Sequence, residues 1–98
     1  MIVRIEIDPE VTGLYSYRVT HEAEPLYDDE GLGSVTEALV AAVEGLAPEV
    51  IGVELAYAGI VSGTYPLNVI ALNLEQVATH AVNTTDAMRE ALSGDAET

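Results

Sequence analysis

The residues best suited to chemistry in this sequence are carboxylates gathered in one short segment. Residues 21–33 (HEAEPLYDDEGLG) contain five acids within nine residues: Glu22, Glu24, Asp28, Asp29 and Glu30. A hard cation such as Ca²⁺ takes about six to eight oxygen ligands, and carboxylates supply them well. The segment lacks the D-x-D-x-D-G start of an EF-hand loop and the glutamate at its twelfth position. We therefore predict a solvated loop without a metal ion.

The other groups that could do chemistry are few. His21 and His80 are the only histidines and there is no cysteine, so a zinc site would need both histidines plus carboxylates. Nothing in the sequence brings these two residues together. No serine lies in a G-x-S-x-G elbow, and without lysine no P-loop is possible. We predict a protein that is not an enzyme and has no catalytic residue, metal or cofactor.

The same acidic segment is also a candidate contact surface for a protein partner. Tyrosine is amphipathic and suits interfaces, and Tyr27 lies inside the segment, whereas Tyr15, Tyr17 and Tyr57 fit half-buried strands. The predicted partner-binding residues are Glu22, Glu24, Tyr27, Asp28, Asp29 and Glu30.

The charge balance excludes one class of partner. Seventeen acids face three arginines (Arg4, Arg18 and Arg89), which gives a net charge of −14. Nucleic-acid binding needs basic side chains that displace phosphate counterions, so this chain would be repelled by nucleic acid. Two explanations of the acidity stay open: adaptation to a salty environment, which we expect, or mimicry of nucleic-acid phosphate toward a basic partner.

Location is predicted from what the sequence lacks. The start MIVRIEID has no basic segment followed by a long apolar stretch, so no secretory signal is visible. No window approaches the roughly 18 apolar residues of a membrane span. We expect a soluble, cytoplasmic protein with no membrane contact.

Alternating apolar residues predict three strands. Residues 3–7 and 15–20 form an antiparallel hairpin with Arg4, Glu6 and Arg18 on one outer face. Residues 51–58 form a third strand, which a turn at Ser62-Gly63 follows. Its second face consists of small residues (Gly52, Ala56 and Ala58), so it could lie against a helix or a second subunit.

Helical spacing dominates the remainder. Ser34 and Glu37 form an S-x-x-E capping box before a helix that ends near Pro48. Residues 67–73 (LNVIALN) fit helix or strand equally, and a helix is favoured from about Leu74. Residues 83–86 (NTTD) interrupt it before a short helical segment over 87–92, and residues 93–98 form a polar tail that frays.

One segment carries a resemblance to a known family. Residues 33–46 (GSVTEALVAAVEGL) resemble the helix of HicB-like antitoxin domains, and the order hairpin, loop, capped helix, strand is similar too. The Pro-Gly element that precedes the helix in that family is not clear here, and no DNA-binding module follows. The resemblance implies a small acidic partner of a basic RNA-binding toxin. In size and charge the chain is also similar to phage-encoded inhibitors such as anti-CRISPR proteins.

Together these patterns predict an α+β domain over residues 1–92. We expect two layers, an antiparallel sheet of three or four strands with helices on one face, in the order β-β-α-β-(β or α)-α. The predicted function is a non-enzymatic protein–protein interaction module, self-associating as a subunit of a larger assembly. The alternative is a small acidic inhibitor that mimics nucleic acid and occupies a basic groove on its partner.

Overall fold

Within the described backbone, five strands form one mixed sheet, and three helices pack on one of its faces. The computed structural model describes the backbone of residues 1–97 and the side chains of residues 1–93. The elements are β1 (Ile2–Pro9), β2 (Tyr15–His21), β3 (Glu24–Leu32), α1 (Val35–Glu44), β4 (Gly52–Tyr57), β5 (Ile60–Pro66), α2 (Leu67–Leu72) and α3 (Leu74–Glu97). The strand order across the sheet is β3-β2-β1-β4-β5. The α+β class is confirmed, but the prediction of three or four antiparallel strands is wrong.

The first hairpin is confirmed, and its neighbour explains the mixed sheet. β1 pairs with β2 antiparallel, with Glu6 opposite Arg18. β1 also pairs with β4, and this pair is parallel, with Glu6 opposite Ala56. Helix α1 carries the chain from the end of β3 back to the opposite end of the sheet, where β4 begins. β4 therefore runs in the same direction as β1. Alternation along each strand marks its buried face but not the direction of its neighbour.

The segment over residues 21–33 is the clearest correction, because most of it is strand β3 and not a loop. β2 and β3 are joined by the two-residue turn Glu22-Ala23, whose φ angles are 52° and 69°. This left-handed pair is the geometry of a type I′ hairpin turn, which Asn-Gly normally supplies. Glu-Ala gives no such signal, and two irregularities in the β2–β3 register hide the alternation.

A second tight turn lies where the sequence predicted strand, and the predicted turn at Ser62-Gly63 lies within β5. The chain reverses at Ala58-Gly59, with φ angles of 51° and 85°, and β5 pairs antiparallel with β4. Ser62 is the extra residue at an irregularity in this pairing. Its hydroxyl donates to the Leu55 carbonyl oxygen at 3.4 Å.

The start of α1 confirms the predicted cap. The Ser34 hydroxyl accepts from the Glu37 amide at 3.0 Å. The Glu37 carboxylate accepts from the Gly33 amide at 2.9 Å, one residue before the partner that a standard capping box uses. The orphan amide of Glu37 and the amide of Gly33, just before the helix, are therefore both satisfied.

The last two helices show that the segment left open as helix or strand is helical, and that the break predicted at residues 83–86 is wrong. Residues 67–72 form α2, and α3 runs through residues 83–86 without interruption. Thr85 is fully buried there, and its hydroxyl donates to the Tyr57 carbonyl oxygen at 2.9 Å. This contact with the sheet explains why Thr85, a residue type typical of caps, occurs inside the helix. The tail predicted over 93–98 includes Thr98, which lies outside the described residues, and its fraying stays a prediction.

One hydrophobic core lies between the sheet and the helices. α1 covers β1, β2 and β3, while α3 covers β4 and β5. The largest fully buried apolar side chains are Val3, Ile5, Ile7, Val19, Leu39, Val53, Leu55 and Ile70. On the opposite face of the sheet, no helix of residues 1–97 packs. None of the helices in the described part of the chain combines the length and the hydrophobicity of a membrane span.

Candidate protein interface

The predicted partner-binding residues are spread along one edge of the sheet. Glu22 lies in the β2–β3 turn, and Glu24, Asp28, Asp29 and Glu30 lie exposed on edge strand β3. Their separation along the strand divides them into two groups, one near the turn and one near the far end. Charged side chains and a proline on an edge strand hinder its pairing with another chain. Pro25 and these acids therefore protect the β3 edge.

Tyr27 differs from the five acidic residues, because its side chain is half-buried and packs against the core. Its hydroxyl donates to the Ala42 carbonyl oxygen at 2.6 Å, and its ring meets Tyr17 edge-on with centroids 6.2 Å apart. A Cβ on Gly45 would lie 2.9 Å from the Tyr27 ring, so the glycine makes room for it. Burial, with a smaller effect of Tyr17, raises the Tyr27 pKa above its ordinary value. The geometry gives Tyr27 a structural task at the α1–β3 contact.

A shallow acidic depression lies at the far end of the β3 edge. It is lined by Asp8, Glu10, Ser16, Tyr17, Arg18, Asp28, Asp29 and Glu30. Burial raises the Tyr17 pKa, and the nearby Asp29 and Asp28 raise it further. Asp8 and Glu10 were missed from the sequence because the pairing of β1 with β2, not chain proximity, places them across β2 from the acids of β3. Within residues 1–93, no three His, Asp or Glu side chains are arranged to hold a metal ion.

The helix-free face of the sheet carries a chain of ion pairs, which the predicted placement of Arg4, Glu6 and Arg18 on one outer face allows. Arg4 donates to Glu6 at 2.9 Å and to Glu54 at 2.8 Å. Arg18 donates to the other oxygen of Glu6. The hydrogen bond from Arg18 is the largest cause that lowers the Glu6 pKa. Two of the three basic residues are thereby neutralised within the sheet.

The other edge strand, β5, is built differently. Its seven residues (IVSGTYP) include no charged side chain, and its only proline is the last residue. Val61 is exposed by 44%, the same fraction as Leu26 on β3. The face of small residues predicted around β4 is only partly formed, because Ala58 lies in the turn. Gly52 and Ala56 are buried, but they lie on the sheet face that no helix of residues 1–97 covers.

The histidines are far apart in the fold. His21 ends β2 opposite Glu24, and His80 lies on α3, where its Nε2 is 3.5 Å from the Thr84 hydroxyl. The structure does not bring them together.

Comparisons with known protein families, with curated proteins and with solved structures find no match to this chain. The resemblance to the antitoxin family therefore rests on residues 33–46 and on the predicted order of elements alone.

Proposed function

We propose that this chain is a non-enzymatic protein–protein interaction module that self-associates through edge strand β5. The observation that carries the proposal is the contrast between the two edges of one sheet. β3 has four acids and a proline, the features that prevent edge-to-edge pairing, and β5 has none of them before its last residue. An edge without these features is a template for another strand.

The composition around β5 supports the same conclusion. Residues 55–74 form a run of twenty without a charged side chain, in a chain where 20% of residues are charged. The run contains the end of β4, the whole of β5 and the whole of α2. Charged residues are depleted at the centres of protein interfaces. Glu54, which precedes the run, is already paired with Arg4.

A second copy is the partner that this edge fits best. Two β5 strands that meet antiparallel would form an isologous contact around a two-fold axis and join two five-stranded sheets. Ile, Val, Thr and Tyr in β5 favour strand pairing. A net charge of −14 repels a second copy, so the contact needs a region of low charge density, and β5 is such a region.

Lysine substitutions at equally exposed sites test this edge. Val61→Lys places a charge on β5, and Leu26→Lys is the matched control on β3. Each lowers the net negative charge by one and so weakens long-range repulsion between copies. Sedimentation equilibrium at micromolar concentration should show a dimer for the wild type and for Leu26→Lys, and a monomer for Val61→Lys. A wild-type monomer across a wide salt range, or an unchanged Val61→Lys dimer, contradicts the proposal.

The second candidate function is an acidic inhibitor that binds a basic partner, and the acidic depression favours it. Five carboxylates line it together with Arg18, which is already paired with Glu6. Other acids are scattered over the helices, among them Glu37, Glu75 and Asp86. Such scatter is less suited to mimicry of a phosphate chain and supports the first proposal.

Salt separates the two functions. Added salt screens repulsion between acidic copies over a Debye length of about 8 Å near physiological ionic strength, so self-association should strengthen. Affinity for a basic partner should fall instead, as it does for nucleic acid. Asp28→Asn with Asp29→Asn and Glu30→Gln should weaken binding to a basic partner and leave the β5 contact intact.

A further inference from the structure

Helix α3 continues its apolar stripe beyond the sheet that the stripe packs against. Leu74, Ala78, Ala81, Thr85, Met88 and Leu92 follow at alternating steps of four and three residues, which places them on one helical face. Ala78, Ala81 and Thr85 are buried against the core, whereas Met88 is 50% and Leu92 is 67% exposed. The same face is therefore covered in the first half of the helix and uncovered in the second.

The buried part of α3 ends at the same place as strand β4 of the sheet. Thr85 bonds to the carbonyl oxygen of Tyr57, the last residue of β4, and residues 86–93 are all exposed. At a rise of about 1.5 Å per residue, the helix from Asp86 to Glu97 extends roughly 18 Å past this point. The molecule measures 49 Å along its longest axis and 26 Å along the next, as a projecting helix requires.

We propose that this projecting half of α3 packs against α2 of a second copy. The inference rests on the proposed β5 contact. α3 lies under β4 and β5, so an antiparallel β5–β5 contact places the α3 helices of both copies on the same side of the joined sheet. Because the copies run in opposite directions, the α2 end of each lies at the hairpin end of the other.

The positions of α2 and of the projecting half of α3 along the strand direction agree with this contact. Within one copy, Thr85 is level with the Tyr57–Ile60 end of the hairpin, and α2 begins directly after Pro66 at the opposite end. A two-fold axis near Gly63 exchanges the two levels. Met88 and Leu92 then project to the level of the partner's Leu72, which is 85% exposed.

The area that a stable dimer interface needs supports a second contact besides the β5 edge. Stable interfaces bury about 800 Å² on each partner, which is more than the edge of one seven-residue strand supplies. α2 has no charged residue, and its exposed Val69 and Leu72 are matched in kind by Met88 and Leu92. By symmetry the contact would occur twice in each dimer.

A charge swap between copies tests the contact. Met88→Glu should raise the dimer dissociation constant by about tenfold or more, since it places a charge in an apolar contact. Ala87→Glu, an exposed site about 100° around the helix from Met88, is the control for added charge and should raise the dimer dissociation constant much less. Adding Leu72→Lys to Met88→Glu should restore dimerisation.

The rescue can only occur between copies. Leu74, the first residue of α3, and Met88 are about 21 Å apart along the helix, and position 72 lies just before Leu74. Within one copy, a lysine side chain at position 72 therefore cannot reach a glutamate at position 88. An unchanged dissociation constant in Met88→Glu, or no rescue by Leu72→Lys, overturns this inference. If Val61→Lys still separates the copies in that case, the β5 contact stands; if the wild type is a monomer, both proposals fall.

Discussion

The hydroxyl of Thr85 donates to the carbonyl oxygen of Tyr57 at 2.9 Å and so ties the middle of α3 to the end of β4. Thr85 is the last residue of α3 that is buried among the described side chains. The bond therefore marks the boundary between the half of α3 that completes the core and the half that projects from it.

Thr85→Val should lower the free energy of unfolding by about 1 kcal/mol. Valine keeps the shape of threonine but removes the donor from a buried site, where an intramolecular hydrogen bond contributes about that amount. Thr84→Val, one residue earlier and less buried, is the matched control and should change stability by less than about 0.5 kcal/mol. Urea unfolding of the three proteins measures the difference. Equal losses in both variants would show that the Tyr57 contact contributes nothing.

Ser34→Ala should cost about 1 kcal/mol of stability, because the Glu37 amide then loses its acceptor at the start of α1. Ser34→Asp retains an acceptor at the same place and should recover most of the loss. Thermal unfolding checks both variants. A stability of Ser34→Ala equal to that of the wild type would remove Ser34 from the cap.

Ala23→Gly should stabilise the protein by about 0.5 to 1 kcal/mol, because Ala23 has a φ of 69° and glycine adopts this left-handed conformation without steric cost. Ala41→Gly inside α1 is the control of opposite sign and should cost about 1 kcal/mol. Chemical denaturation gives both values. A loss of stability in Ala23→Gly would show that the β2–β3 turn is not of this type.

These positions also show what the sequence could predict and what it could not. The β1–β2 hairpin and the α1 cap follow from local patterns, and both are found. β3 was missed because an edge strand tolerates charges, Pro25 and Gly31, and because Glu22-Ala23 lacks the composition of a hairpin turn. The parallel β1–β4 pair depends on how α1 crosses the sheet, and no local pattern encodes that path.

The candidate surfaces were predictable to different degrees. The acids of residues 22–30 are visible in the sequence, but their division along a strand and the packing of Tyr27 depend on β-pairing. Burial of Tyr27 follows from its position opposite Val19 on the core side of the sheet. The uncharged run of residues 55–74 is visible in the sequence. Its meaning depends on the strand order, which places β5 at the edge.

Glu6→Gln should destabilise the protein at pH 7, and the difference from the wild type should shrink at low pH. Arg18 and Arg4 lower the Glu6 pKa below 4.5 in the folded chain. Stability from this group is thus present above about pH 4.5 and is lost as the pH falls through the folded pKa. Exposure of Arg18 keeps the effect modest.

Glu24→Gln is the control for Glu6→Gln, since Glu24 has no ion pair among the described residues. Its removal reduces repulsion among acids, so stability at pH 7 should stay equal or rise. Stability curves of the three proteins from pH 3 to pH 7 provide the comparison. A Glu6→Gln deficit that does not change with pH would contradict the assigned ion pairs.

Amide hydrogen exchange at two protein concentrations tests the central claim most directly, because it reads each sheet edge separately. The two concentrations lie below and above the one at which the chain associates. At the higher concentration, exchange should be slower at amides of β5 and unchanged along β3. The Val61→Lys variant should show no concentration dependence in either strand. Association with β5 exchange unchanged, or with slowing along β3 instead, would contradict self-association through β5.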